Sequence, residues 1–320
     1  MMEAQRREGK HRSIAGLCYG ISRELKRNYQ LYLIILPPVI YLIIFHYIPM
    51  YGAQIAFRHF SAYGGIWGSP WAGLEHFINF FNSYQFERVL RNTLTISLYN
   101  LLASFPIPII LALLLNTLNN GPFKKTVQMV TYAPHFISTV VMAGIIVQFL
   151  SLEYGLANKI IRTLGGEGIM FMGEPSMFSS IYVWSGVWQE MGWSSIIYLS
   201  ALSAIDVELH EAAIVDGAGR FKRILYIDIP GIIPTIVILF ILNMGRLLNV
   251  GFEKVLLLQN TMNMEASEII STYVYKVAFS ASIPNFSYGT AIGLFNSVIN
   301  FSLILIFNYI SRRVGDVSLW

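Results

Sequence analysis

With 55% of its 320 residues hydrophobic and only 12% charged, the chain is too poor in charge for a water-soluble domain, where about 25% of residues are charged. Its formal net charge of +4 calls for no nucleic-acid partner, and its single cysteine, Cys18, excludes an intramolecular disulfide. It reads as an all-α polytopic membrane protein.

Residues 1–28 form a basic tail with Arg6, Arg7, Lys10, Arg12, Arg23, Lys26 and Arg27. The apolar run behind it is too long for a signal peptide and lacks a small-residue cleavage site, so it reads as a retained first span. Crossing the hydrocarbon core takes about 20 apolar residues of helix. Such runs occur near 30–49, 90–116, 127–150, 177–200, 231–258 and 286–310, which predicts six transmembrane helices in a membrane domain over 29–310. The connection 51–88 has turn signals at Gly64, Gly65, Gly68 and Pro70 and an interfacial Trp71. Within it, Gly73 to Phe81 has apolar residues at helical spacing, as expected of a helix on the membrane surface. Asn119 to Pro122 marks a tight turn, 151–176 carries a short helix over Leu156 to Leu164, and 259–285 carries another around Glu268 to Val277. A tail over 311–320 begins with Ser311, Arg312 and Arg313.

Cytoplasmic segments near spans retain positive charge. Threading six spans from an inside N-terminus puts the basic tail, Lys124 and Lys125, Arg220, Lys222 and Arg223, and Arg312 and Arg313 on one side. Both termini and the loop 201–230 are therefore expected in the cytoplasm, with 51–88 outside.

That loop is the most specific stretch, reading EAAIVDGAGRFKRILYIDIP from Glu211 to Pro230. Asp206 is placed to cap a short helix, with Glu208 and Glu211 in early turns where the helix dipole favours negative charge. Ala212 and Ala213 present little side chain, so another protein can approach the backbone closely. Asp216-Gly217 is a turn signal, and glycine accepts the positive φ of such a corner. Helical spacing resumes over 218–229 as a second short helix at an angle to the first, and Pro230 suits the first turn of the next span. The same residues also fit a basic amphipathic connector resting on lipid headgroups.

A polar route through the membrane has candidates in Gln148 on the third span, Trp184, Trp188, Gln189 and Glu190 on the fourth, and Asn243, Arg246 and Asn249 on the fifth. Trp184 and Trp188, four apart, share a helical face and could stack on a sugar ring or anchor the helix at the lipid interface. A charge near mid-membrane costs about 2.5–3.5 kcal/mol, so Arg246 should face water, a partner or a substrate. An acidic sugar's carboxylate or a structural pair with Glu190 or Glu253 would each serve. No phosphate-cradling Gly-x-x-x-x-Gly-Lys-Ser/Thr, His-Glu-x-x-His or Gly-x-Ser-x-Gly occurs, so no ATP, metal or catalytic site is expected in this chain.

The Glu211–Pro230 pattern resembles the EAA loop of ATP-binding-cassette (ABC) importer permeases. With it go Tyr32-Leu-Ile-Ile-Leu-Pro-Pro38, Tyr47-Ile-Pro-Met-Tyr-Gly52, Trp71-Ala-Gly-Leu-Glu-His-Phe77, Asn249-Val-Gly-Phe-Glu-Lys254 and Ser318-Leu-Trp320. Together they make nearly the whole chain similar to the maltose-type oligosaccharide permeases, in the branch handling polysaccharide fragments such as those of alginate or pectin. The resemblance implies the type I importer permease fold, in the bacterial cytoplasmic membrane. It implies a non-catalytic subunit that works with a second permease, expected to be a distinct homologue, two ATPase subunits that use ATP and Mg, and an extracytoplasmic sugar-binding protein. By the same resemblance Glu211, Ala212, Ala213, Asp216, Gly217 and Arg220 would dock the ATPase. The extra N-terminal spans and folded external domain of large maltose-type permeases have no counterpart in this sequence. An ion-coupled transporter or channel for a small polar solute is the alternative; it would show paired interrupted helices or buried acids along an ion path.

Overall fold

A computed structural model describes residues 27–315; Cys18, the tail basic residues before Arg27, and Ser318 to Trp320 lie outside them. Regular structure among the described residues is helical, with only isolated bridges, Arg58 to Trp71 and Ser61 to Gly65, of strand type. The chain divides into two compact units, Met1–Gln54 and Ile55–Trp320.

The first unit holds most of α1 (Tyr29–Phe57), a 29-residue helical run. Its opening segment Tyr29–Leu42 has no buried residue, and Leu31, Ile34 and Phe45 are all more than half exposed. A helix apolar all round belongs in lipid or against a partner. Pro37 and Pro38 lie inside it, and the run widens to a π turn at Ile43–Tyr47.

The second unit contains α2 (Glu75–Phe81), α3 (Tyr84–Thr117), α4 (Pro122–Tyr132), α5 (Thr139–Phe149), α6 (Leu156–Thr163), α7 (Pro175–Ser203), α8 (Val207–Val215), α9 (Arg220–Met244), α10 (Phe252–Leu258), α11 (Ile270–Tyr275) and α12 (Phe286–Gly315). Among the described residues, α1, α3, α9 and α12 are long and apolar enough to cross a bilayer; α4 with α5 makes a fifth such passage if the bent pair is one span. The 29-residue α7, the expected fourth span, is long enough but more polar. Its position accounts for that, because α7 is packed on several sides by other helices. Phe178, Tyr182, Val183 and Val187 meet Ile96 of α3, Met142 and Ile146 of α5, and Val255 and Leu258 of α10. Further along, Tyr198 and Leu202 meet Ala112 and Leu113 of α3 and Ile232 of α9. Gly192 lets α4 come against α7: a Cβ there would run into the Thr131 carbonyl.

Two expected spans are corrected. The run 127–150 is not one helix: α4 and α5 are bent by 102°. Pro134 closes a short 3-10 turn, Ile137 is extended, and Ser138 caps α5 through the Val141 N–H at 3.4 Å. The run 231–258 also divides, since α9 stops at Met244 and α10 restarts at Phe252. Gly245 allows α12 to approach there, because a Cβ would stand 2.9 Å from Ile304 Cδ1. The freed backbone is met by α12, whose buried Asn300 accepts from the Leu248 N–H at 3.0 Å.

The second short helix expected in 201–230 is also different: it is continuous with the fifth span as α9. Pro230 has no N–H to offer, and the turn before it widens to a π turn over Ile224–Asp228 instead of breaking. The helix expected on the membrane surface forms as α2, but it is bound to the bundle, with Phe80 fully buried against Val89, Ile270, Tyr273 and Ile292.

Candidate functional site

Two regions are built from polar residues at defined places, an exposed corner at α8 and a cavity beside α7. At the corner, Asp206 caps α8 by accepting from the Glu208 N–H at 3.0 Å. The other end closes at Gly217, with φ +78°, where the Gly217 N–H reaches the Ile214 carbonyl at 3.0 Å and the Ala218 N–H reaches that of Ala213 at 2.8 Å. This double closure satisfies two carbonyls at the helix end and requires a left-handed residue. Glu211, Ala212, Asp216, Gly217 and Arg220 are exposed and Ala213 half-buried. Around them Val215, Phe221 and Tyr226 are each more than two-thirds exposed. Large apolar side chains left exposed and edged by charge mark a protein or membrane contact.

The inner side of the corner is held by a residue that the sequence reading passed over. Asp228, 3% exposed, lies in the π turn of α9; His210 Nε2 of α8 is 3.4 Å from its Oδ1, and Asn116 Nδ2 of α3 donates to the same oxygen at 3.4 Å. Its signal was present as the one carboxylate in the apolar stretch Ile224 to Ile229.

The cavity measures about 810 Å³ and is walled by Asn100 and Ser104 of α3, Gly186, Glu190 and Trp193 of α7, Asn243 of α9, and Glu253 and Lys254 of α10. A smaller space of about 230 Å³ shares Asn100, Ser104 and Asn243 with it and adds Arg246 and Asn249. Asn243, Arg246 and Asn249 therefore lie together, although only Asn243 is on the helix. Arg246 is exposed and forms no ion pair with Glu190 or Glu253 among the described residues. Glu190 is taken by His135 Nδ1 at 2.9 Å, and the His135 ring stacks on Trp193 with centroids 4.4 Å apart and planes 2° from parallel. Asn249 accepts from Asn296 and Asn300 of α12 at 3.0 and 3.1 Å.

The remaining candidates are placed differently. Trp184 and Trp188 line neither space; both are about half exposed, and Trp184 Nε1 donates to the Tyr99 hydroxyl at 2.8 Å. The two tryptophans thus face away from both spaces, because Gly186, Glu190 and Trp193 lie near the opposite face of α7. Gln189 lines the larger cavity, yet it is buried and donates to the Ile137 carbonyl at 2.9 Å, holding the bend between α4 and α5. Gln148 is exposed and lines a separate groove with Val140, Val147, Ser151 and Leu257. Lys254 and Trp193 were missed as cavity residues: Lys254 stood only inside a quoted motif, and nothing in the sequence told Trp193 from its neighbours. Among the described residues no group of His, Cys, Asp and Glu could hold a metal ion.

A family model described as binding-protein-dependent transport system inner membrane component matches residues 88–316. The chain is 42% identical over 297 residues to the polygalacturonan/rhamnogalacturonan transport system permease protein YteP of Bacillus subtilis (strain 168), covering 93% of this chain and 92% of that one. It is similar, at a TM-score of 0.85 and 39% identity over 92% of this chain and 99% of the other, to a chain in the crystal structure of a bacterial ABC transporter involved in the import of the acidic polysaccharide alginate. A chain of the bacterial alginate ABC transporter in complex with alginate pentasaccharide-bound periplasmic protein gives a TM-score of 0.85 at 38% identity, over 93% and 99% of the two chains.

Proposed function

The chain belongs to the binding-protein-dependent transport system inner membrane components, and on that premise we propose that it conducts carboxylate-bearing oligosaccharides through the cavity beside α7 when ATPase subunits act on α8. It is a multi-pass, non-catalytic permease subunit of an ABC sugar importer. In our reading the chain makes six crossings of a bacterial inner membrane, with α7 as the fourth and both termini inside. It pairs with a second, distinct permease, receives sugar from an extracytoplasmic binding protein, and couples to two ATPase subunits that hold the ATP and Mg.

The observation that carries the coupling is the exposed, capped corner from Glu211 to Gly217, closed by a positive-φ glycine and presenting the exposed Ala212 beside the half-buried Ala213. The acidic character of the sugar is supported by the polygalacturonan/rhamnogalacturonan and alginate transport of the relatives, and by Arg246, a cation beside the cavity without an ion pair among the described residues. A guanidinium so placed suits a bidentate carboxylate.

The test is reconstitution of the four-subunit complex in proteoliposomes with its binding protein. Uptake of a uronic-acid trisaccharide is expected to require ATP inside the cytoplasmic face and to raise the rate of ATP hydrolysis. Uptake driven by an ion gradient with no ATP present would favour the ion-coupled alternative and overturn the proposal.

A further inference from the structure

Lys254 of α10 lines the large cavity yet is only 8% exposed. Its Nζ donates to the Tyr182 carbonyl at 3.0 Å and stands 4.9 Å from the centre of the Tyr182 ring. Tyr182 in turn is fixed by the Gly251 N–H, which donates to its hydroxyl at 3.0 Å, so the loop leading into α10 and the side of α7 are held together. An ammonium has three N–H donors, and the contacts made by the protein leave part of that capacity unused. No carboxylate lies within ion-pair distance of Lys254 among the described residues. Of the two acids on the cavity wall, Glu190 acts on Lys254 through its charge without forming an ion pair and is engaged by His135 at 2.9 Å, and Glu253 forms no ion pair with Lys254.

Space has been left for this ammonium. Gly186, near the middle of the 29-residue α7, is the residue opposite it, and a Cβ there would stand 3.3 Å from Nζ. A cation withdrawn from water, with a carbonyl, a ring face and the longer-range charge of Glu190 as its partners, is costly to keep, and the cost falls when an anion reaches it. The cavity, at about 810 Å³, falls in the range of about 300–1,000 Å³ typical of ligand sites.

We propose that Lys254 is the carboxylate-recognising contact of the translocation route: its ammonium meets a uronate carboxylate of the passing sugar, with Arg246 in the adjoining space as the next cation along the chain of sugar units. This inference rests on the acidic-sugar reading above. It assigns selectivity to a lysine held by α7 and α10 rather than to the tryptophans of the fourth span. A lysine, as a point charge on a flexible stem, can follow a moving carboxylate without the fixed two-point geometry that an arginine imposes. That suits a transient contact during passage.

The experiment uses the complete complex in proteoliposomes with its binding protein, a uronic-acid trisaccharide as probe and a neutral trisaccharide as control. Uptake of the neutral sugar with none of the uronate overturns the acidic-sugar reading itself, whatever Lys254 does. With uronate taken up, carbodiimide activation of the sugar carboxylate during turnover is expected to leave the sugar joined by an amide to Lys254, read by peptide mass spectrometry. Lys254→Gln is expected to slow uronate uptake by about tenfold, roughly 1.4 kcal/mol of lost interaction, and Lys254→Arg to restore most of it. Cross-linking confined to other residues, or wild-type uptake by Lys254→Gln, overturns the assignment. So does slowed uptake in both variants together with a lower melting temperature of the complex, which would make Lys254 a pin between α7 and α10.

Discussion

Gly217 and Gly192 are both required, for opposite reasons. At Gly217 the space is open, with no atom within 4 Å of a would-be Cβ, but φ is +78°. The constraint is the backbone alone, and a left-handed conformation costs an L-residue about 1–2 kcal/mol. Gly217→Val should therefore loosen the α8 corner and reduce sugar taken up per ATP hydrolysed by about tenfold, roughly 1.4 kcal/mol of coupling, while Gly217→Asn, which tolerates the left-handed region, should stay near wild type. Equal behaviour of the two variants in the uptake-to-hydrolysis ratio would refute a backbone origin. Gly192 has an ordinary helical conformation, and what it lacks is room, since α4 presents the Thr131 carbonyl to it. Gly192→Ala should push α4 from α7 and cost about 1–3 kcal/mol, seen as a lower melting temperature of the purified complex; an unshifted melt would contradict the close approach.

At the scale of elements, the connection from α8 to the bundle is made through one buried carboxylate. Asp228 receives His210 from α8 and Asn116 from the end of α3, and itself sits in the π turn of α9. On the coupling proposed above, a push on α8 would pass through Asp228 to α3 and α9 together. His210→Ala and Asp228→Asn should each lower uptake per ATP, and the double variant should do little more than either alone, because residues that share one contact are not additive. Fully additive losses in that cycle would show that the contact does not carry the coupling. The bend between α4 and α5 is held in the same manner, by Gln189 reaching the Ile137 carbonyl.

For the whole molecule, the arrangement of charge predicts an orientation. Asn120 lies in the turn with Lys124 and Lys125, expected inside, and the fully exposed Tyr63 lies in the connection expected outside. In a Cys18→Ser background, a membrane-impermeant maleimide applied to intact cells should label Tyr63→Cys, and reach Asn120→Cys only after the membrane is opened. Labelling of both from outside would refute the threading. The surface of α1, which has no buried residue over Tyr29–Leu42, fits a helix whose surroundings are lipid or another subunit.

Properties carried by short stretches of chain were legible in advance. Apolar length marked the helices α1, α3 and α12, the Asp216-Gly217 pair marked the left-handed corner, and Asp206 marked the start of α8. Each depends on hydrophobicity or backbone preference within a few residues, which a sequence states directly. What no local pattern could state was where a helix stops and which way its polar residues face. Pro37 and Pro38 are carried inside α1, whereas the run around Pro134 bends by 102°. The difference lies in partners distant in sequence, because Gln189 takes up the carbonyl released at the bend and Asn300 takes up the N–H released after Met244. The same long-range packing turned Trp184 toward Tyr99 and brought Lys254 beside Gly186. The amino-acid sequence by itself determined a membrane-embedded permease with an exposed, glycine-closed corner; the tertiary structure decided which side chains line the cavity beside α7, because a side chain's facing is set by the neighbours that fill the space around it.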